Sequence, residues 1–255
     1  MKKKIRNYVW GEDSEVSGPR NYFRESIMIN SLKQHVKLGK ILDAGCGTGS
    51  LSIRLANDGY NLISMDSSAL SLRHLIDKVK QHGLQKKIVV KKGSILNMPF
   101  RKNFFDGVVC GEVLEHMKND KKALSEIQRV LKPGGVCIVT TPGHPENWDI
   151  SDYISGHERR YTKADLYQKF KDEHFRNISC NFIGFPLNNL WHKFIYVPYL
   201  LKKMQNSKNM KHQKSKNSIF MSSQFFQKLF SQIFYFDFIF YFLQKGNILL
   251  VTAKK

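Results

Sequence analysis

Acidic residues are what this 255-residue chain is short of: 21 Asp and Glu stand against 41 Lys and Arg, a formal net charge of +20. The deficit is uneven. Residues 1–180 carry 30 basic and 20 acidic side chains, a surplus of +10, whereas residues 181–255 carry 11 and 1, the same surplus in less than half the length. A surplus of this kind either attracts polyanions (phospholipid headgroups, nucleic acid, phosphorylated small molecules) or is a solvated surface. Cysteine is scarce as well. Cys46, Cys110, Cys137 and Cys180 are scattered without paired spacing, which argues against a disulfide framework and for reduced core thiols in a cytosolic protein. Also missing is an uninterrupted apolar run of about 20 residues, the length a membrane-spanning helix needs: Lys193, Pro198, Lys228 and Asp237 break the two apolar stretches near the C-terminal end. After Met1-Lys2-Lys3-Lys4 the chain continues Ile5-Arg6-Asn7-Tyr8, without the apolar stretch of a signal peptide, so a cytoplasmic placement is expected. The length suits one α/β domain over 1–255 with an added element, and would be cramped for two full domains.

What is present begins with Ile41-Leu42-Asp43-Ala44-Gly45-Cys46-Gly47-Thr48-Gly49, a short apolar strand ending in an acid and three alternate glycines. Glycine has no Cβ, so the backbone can take positive φ and pass close to a ligand, which a tight strand-to-helix turn around a cofactor requires. A helix follows, with Leu51 and Leu55 on one face and Gly59 as its stop. The next strand ends at Asp66, 21 residues after Gly45, close to the spacing at which an acid reaches cofactor ribose hydroxyls. The nicotinamide fingerprint separates its last two glycines by two residues; here Thr48 alone separates Gly47 and Gly49, which weakens a dehydrogenase reading.

The 41–49 segment closely resembles the first motif of the class I S-adenosylmethionine-dependent methyltransferases. Phe105-Asp106-Gly107-Val108-Val109-Cys110-Gly111-Glu112-Val113-Leu114-Glu115-His116 resembles that family's fourth-strand motif, and Leu131-Lys132-Pro133-Gly134-Gly135-Val136 its turn into the fifth strand. The resemblance covers roughly 35–180 and is nearest to the ubiquinone-pathway type of O-methyltransferase. It implies a Rossmann-like α/β fold: a seven-stranded sheet with helices on both faces. It also implies that Gly45, Gly47 and Gly49, with Cys46 beside them, cradle the methionine part of S-adenosylmethionine. Asp43 would organise the turn, Asp66 with Ser67 would take the ribose, and Ser94 and Ile95 would lie at the adenine, in a position where the family commonly has aspartate for Ser94. In ubiquinone-pathway and small-RNA 3′-terminal 2′-O-methyltransferases the string EVLEH can hold a divalent metal. By resemblance, Glu112, Glu115 and His116, completed by His157, form a candidate site for a cation such as Mg²⁺. The same residues are the candidate catalytic groups, His116 being able to act as a general base without metal, and a structural role is the third option. Arg159, Arg160 and Tyr161 beside His157 either bind an anionic group of the acceptor or form a solvated loop.

Hydrophobic periodicity predicts a helix over 20–36 that carries no separate chemical signal, then strands at 40–44, 61–65, 88–92, 105–110 and 136–141. Helices fall at 49–57, 68–82 and 120–131, a rhythm that implies parallel strands with crossover helices. Thr162 and Asp165 resemble a capping box opening another helix. Strands at 177–183 and 247–252 would form the family's terminal hairpin, and the 63 residues 184–246 between them are this chain's own feature. That insertion has an apolar run at 185–201, a stretch at 202–217 with six lysines and no acid, and an aromatic run at 219–243. Phe225, Phe226, Leu229, Phe230, Ile233 and Phe234 fall at four-residue spacing, as on one helix face. It reads as an apolar helical cap over the substrate pocket or as a surface-lying anchor on an anionic membrane. The expected function is O-methylation of a small molecule that is apolar, lipid-linked or sugar-containing. The alternatives are RNA methylation, disfavoured because the aromatics do not interleave with basic residues, and a membrane-associated binding protein that keeps the fold without turnover.

Overall fold

The computed structural model describes residues 18–206 and 224–255. The expected lack of a leader, the lysines Lys208, Lys211, Lys214 and Lys216, and residues 219–223 of the aromatic run lie outside the described residues.

The element order is α1 (Pro19–His35), β1 (Lys40–Ala44), α2 (Ser50–Asn57), β2 (Asn61–Asp66), α3 (Ala69–Gln81), β3 (Ile88–Lys92), β4 (Phe105–Gly111), α4 (Asp120–Val130) and β5 (Leu131–Pro142). It continues with α5 (Ile150–Ser155), α6 (Lys163–Asp172), β6 (Arg176–Ile183), α7 (Leu187–Trp191), α8 (Val197–Asn206), α9 (Gln224–Ser231) and β7 (Ile248–Lys254). The seven strands form one sheet in the order β3-β2-β1-β4-β5-β7-β6. β1 to β5 pair in parallel and β7 runs antiparallel between β5 and β6. The sheet thus has the terminal hairpin that the sequence implies. β5 starts earlier than expected: Leu131 pairs with Phe105, Val136 pairs with Gly107, and residues 132–135 leave the ladder between them.

Side chains alternate across a strand, and the alternation assigns the two faces. Ile41, Val109 and Ile138 pack with Leu32, Leu55 and Leu75 of α1, α2 and α3. Leu42, Val108 and Cys137 pack with Leu124, Ile127, Leu166 and Phe170 of α4 and α6. Helices therefore cover both faces, as a parallel sheet requires. Local chemistry sets the helix starts: Ser68 accepts from the Ser71 N–H at α3, Asn119 from Lys122 at α4, and Thr162 from Asp165 at α6.

The insertion does not form the single amphipathic helix that the four-residue spacing over 225–234 predicts. α9 stops at Ser231, and Gln232–Leu243 continues as a 3₁₀ helix. The change of period separates Ile233, which is exposed, from Phe234, which is buried. Phe234 joins Phe23, Ile27, Ile183 and Ile248 in a third core cluster, so the insertion packs on α1 and on the β6–β7 edge. α7 passes through the π-turn His192–Tyr196 into α8. Asp237, the single acid of residues 181–255, is buried and accepts from the Leu187 and Asn188 N–H groups at the start of α7, at 2.7 and 3.0 Å.

Candidate active site

The glycine turn occupies the carboxyl end of β1, the place where open parallel sheets bind ligands. Gly45 and Gly49 take φ of +79° and +83°. A Cβ on Gly49 would lie 2.1 Å from Leu75 Cδ1, and one on Gly45 would lie 2.4 Å from Val113 Cγ2. Each glycine is thus required twice, for its backbone conformation and for the close approach of a neighbour. The N–H groups of Gly45 and Cys46 donate to the Met65 carbonyl at 2.8 and 3.0 Å, which ties the turn to the end of β2. Asp43 is buried and accepts from the Ser52 hydroxyl of α2; Ser52 in turn accepts from Ser64 at 2.7 Å. These bonds tie the end of β1 to α2 and β2 beside the turn.

Asp66, half-buried at the end of β2, accepts from the Gly47 N–H at 2.9 Å and the Ser68 N–H at 2.8 Å. It therefore touches the glycine turn directly and is not the cap of α3, a role that Ser68 fills. Ser67 is exposed beside it. Ser94 is exposed and accepts from the Leu96 N–H, while Ile95 is buried in the core next to Met65 and Met98. α1, in which the sequence shows no chemical signal, clamps this end of the molecule. Glu25 accepts from Ser50 at the start of α2 (3.0 Å) and from Arg54 (2.9 Å), and the Arg54 guanidinium lies 3.8 Å from the centre of the Tyr22 ring.

The second half of the site follows β4. Val113 rests against Gly45, so the loop carrying Glu112, Glu115 and His116 adjoins the glycine turn. The four candidate residues do not stay together. Glu112 adopts φ +56°, a left-handed conformation that costs a non-glycine residue roughly 1–2 kcal/mol, and its carboxylate faces Arg24 of α1 at 3.6 Å. Glu115, His116 and His157 do converge: one ligand atom from each lies within 4.8 Å of the others. The two imidazole rings are 4.8 Å apart, and Glu115 Oε1 is 4.0 Å from His157 Nε2. Glu115 is fully buried; Oε2 accepts from Thr141 at 3.2 Å, and Oε1 has no hydrogen-bond partner among the described residues.

Asp152 orients His157, a role the sequence analysis missed. Its Oδ1 lies 2.8 Å from His157 Nδ1, and both of its oxygens accept from the buried Arg160, at 2.8 and 2.7 Å. Against a carboxylate, Nδ1 carries a proton, and Nε2 faces Glu115 Oε1. Asp152 is itself held at the third helical position of α5 by the capping box that Asp149 opens; the Asp-x-x-Asp spacing was the available sequence signal. Arg159, Arg160 and Tyr161 all have internal partners. Arg160 is committed to Asp152, Arg159 to Asp120 and the Lys118 carbonyl, and the buried Tyr161 hydroxyl to Asp120 and the Leu114 carbonyl.

The electrostatics follow from burial. Desolvation, reinforced by Glu112, pushes the Glu115 carboxyl well above the usual range. Desolvation, followed by the neighbouring His157, lowers His116 to about 4 even though it also bonds the Gly156 backbone. His116 is thus neutral at pH 7, with one ring nitrogen spent on that backbone bond. Ligand atoms of Glu115, His116 and His157 thus converge around a desolvated carboxyl, an arrangement that suits a shared proton or a cation.

Comparison with known proteins agrees with this geometry. Residues 42–139 match the family described as methyltransferase domain. A demethylmenaquinone methyltransferase of Lactiplantibacillus plantarum is 37% identical over 111 residues, 41% of this chain and 47% of the relative. A ubiquinone biosynthesis O-methyltransferase of Rickettsia typhi is 28% identical over 144 residues, 54% of this chain and 57% of the relative. The chain thus spans about half the length of these curated relatives. Among solved structures, the [4+2]-cyclase SpnF superposes with a TM-score of 0.66 at 19% identity, over 91% of this chain and 80% of that one. Haemonchus contortus phosphoethanolamine N-methyltransferase 2 in complex with S-adenosyl-L-methionine reaches 0.64 at 20% identity, over 100% of this chain and 57% of that one. At such identities the superpositions speak to the fold alone, and a cyclase among them shows that the fold does not dictate the chemistry. Residues 42–139 thus match a methyltransferase domain, and the glycine turn with its acid partners and the strand order are those of the Rossmann-like methyltransferase fold.

Proposed function

We propose that this protein methylates a hydroxyl group of an apolar, lipid-linked or sugar-containing small molecule, with S-adenosylmethionine as donor. The reading rests on one juxtaposition: the glycine turn at β1 adjoins, through Val113 and Gly45, a buried cluster of proton-accepting groups after β4. Methyl transfer from a sulfonium is an in-line displacement, so the protein mainly positions the acceptor and removes its proton. Gly45, Gly47 and Gly49 leave room for the methionine part, and Asp66 offers its remaining lone pairs to the ribose. His157, oriented by Asp152, presents Nε2 to the acceptor hydroxyl and takes its proton, while neutral His116 and Glu115 accept hydrogen bonds beside it. The names of the relatives, which concern quinone precursors, support an apolar acceptor.

The cluster also suits a divalent cation, because Glu115 Oε1 and a ring nitrogen of each of His116 and His157 lie within 4.8 Å of one another. Two imidazoles and one carboxylate match a borderline first-row ion such as Mn²⁺ or Zn²⁺ better than Mg²⁺. Such an ion, held by Glu115, His116 and His157, would supply Lewis-acid polarisation of the acceptor. Glu112, turned to Arg24, stands outside that donor set.

Calorimetric titration with S-adenosylmethionine is the test. Micromolar binding that Asp66→Ala weakens about tenfold or more supports the cofactor site, and no binding would leave a non-catalytic fold as the better reading. Metal content and the d–d absorption of the Co²⁺-loaded protein, lost in His157→Ala, decide for or against the cation independently of turnover.

A further inference from the structure

We infer that the insertion between β6 and β7 seats the protein on an anionic lipid surface through an apolar ridge on its 3₁₀ segment. The inference stands on that surface and needs neither the acceptor nor the cation discussed above. A 3₁₀ helix has 3.0 residues per turn, so side chains three apart line up in rows. In Gln232–Leu243 one row starts inward with Phe234 and Asp237, which are 2% and 3% exposed. A second row lies along Phe23 of α1: the Tyr235 and Phe238 rings sit 5.5 and 6.1 Å from it, and Tyr241 follows 6.4 Å beyond Phe238. The third row is Ile233, Phe236, Ile239 and Phe242, exposed by 47, 63, 64 and 74%. At a rise of about 2.0 Å per residue these four side chains stand about 6 Å apart along a line roughly 18 Å long.

Charge selects the occupant. The sole carboxylate of the insertion, Asp237, is turned inward and bonded to the start of α7. The described ionisable groups that the insertion leaves exposed include the cations Lys193, Lys202, Lys228 and Lys245, and no carboxylate. The sequence adds further lysines between α8 and α9. The helix running on from α7 exposes Phe194, Ile195, Tyr199 and Leu201 as well. Exposed apolar knobs and exposed cations on one insertion match a bilayer interface, where acyl chains take the knobs and anionic headgroups the lysines. Nucleic acid would satisfy the lysines and leave the two isoleucines of the ridge in water, and a second copy would bring like charge against like charge. The contact is peripheral: among the described residues no helix is long and apolar enough to cross a membrane. The insertion also touches the surroundings of the candidate site: His192 of the π-turn lies 2.7 Å from Asp149, which opens the capping box holding Asp152.

Co-sedimentation of the full chain with vesicles tests this. Vesicles of phosphatidylcholine with one-third phosphatidylglycerol should bind at least about tenfold more tightly than phosphatidylcholine alone. Phe236→Ser with Phe242→Ser should lose about tenfold or more of that binding while its melting temperature and S-adenosylmethionine binding stay unchanged. Lys228→Glu with Lys245→Glu, which leaves the ridge intact, should weaken binding to the mixed vesicles only. Equal binding to both vesicle types, no binding, or full retention by the serine variant would overturn the inference. So would a concentration-dependent dimer that the serine variant abolishes, since the ridge would then belong to a second copy.

Discussion

The two halves of the candidate site are held by different means. Around β1 and β2 the main chain sets the geometry: glycine conformations, N–H groups on the Met65 carbonyl, and the Asp66 carboxylate on the Gly47 N–H. After β4 the geometry is set by side chains from distant segments, with Asp152 and Arg160 orienting His157, and with Arg159, Lys169 and Tyr161 all gathered on Asp120. Burial alone would raise Asp120, yet its hydrogen bonds from Tyr161 and Lys169 hold it below the usual range. A backbone-built site tolerates change around it but not at its glycines. A site built from buried ions depends on each partner, because removing one leaves the other charged and unpaired.

That contrast can be broken by experiment. The largest effect is expected from Asp152→Ala, which leaves the buried Arg160 guanidinium only Asp149 at 3.7 Å and the Gly143 carbonyl and frees His157: a loss of about 3 kcal/mol in denaturant unfolding. If the two halves are independent, S-adenosylmethionine binding survives under conditions where the variant is folded; joint loss would merge them. Gly49→Ala reverses the pattern. It places a methyl group against Leu75 at positive φ, so about 2–4 kcal/mol should be lost, with cofactor binding abolished and His157 still oriented, as its imidazole ¹⁵N shifts would report.

A smaller effect concerns pH. His116 is lowered to about 4 by burial and by His157, so between the unfolded value of about 6.5 and that point the unfolded chain binds the extra proton. Stability contributed by the neutral ring is therefore complete above that window and falls as pH drops through it, on the order of 2 kcal/mol. The drop in melting temperature between pH 7 and pH 4.5, measured with chelator present, should be shallower in His116→Gln; equal slopes would show that the ring is hydrated. The smallest is Ser52→Ala, which removes a donor from buried Asp43 and should cost about 1–2 kcal/mol while weakening cofactor binding only slightly.

The difference between the halves also explains what could be read in advance. Asp43, the three glycines and Asp66 are legible because a strand–turn–helix is local and glycine spacing records its backbone directly. Glu115, His116 and His157 were legible as candidates by resemblance. That Glu112 leaves them for Arg24 was not, since the pairing joins α1 to the end of β4 across the sheet's edge. α1 looked featureless because Arg20, Arg24 and Glu25 have partners only in space: His192, Glu112 and Arg54. In the insertion, four-residue spacing predicted one α-helical face, whereas packing of Phe234 on Phe23 and of Asp237 on α7 accompanies a switch to three-residue periodicity.

The order of strands and helices, the cofactor turn and the charge imbalance follow from the chain itself, because each depends on near neighbours or on composition. Which acids pair with which bases, which carboxylate faces the histidines, and which aromatic row of the insertion stays in solvent were decided only by the tertiary structure. Those outcomes depend on desolvation, and burial is a property of the assembled fold rather than of any short stretch of sequence.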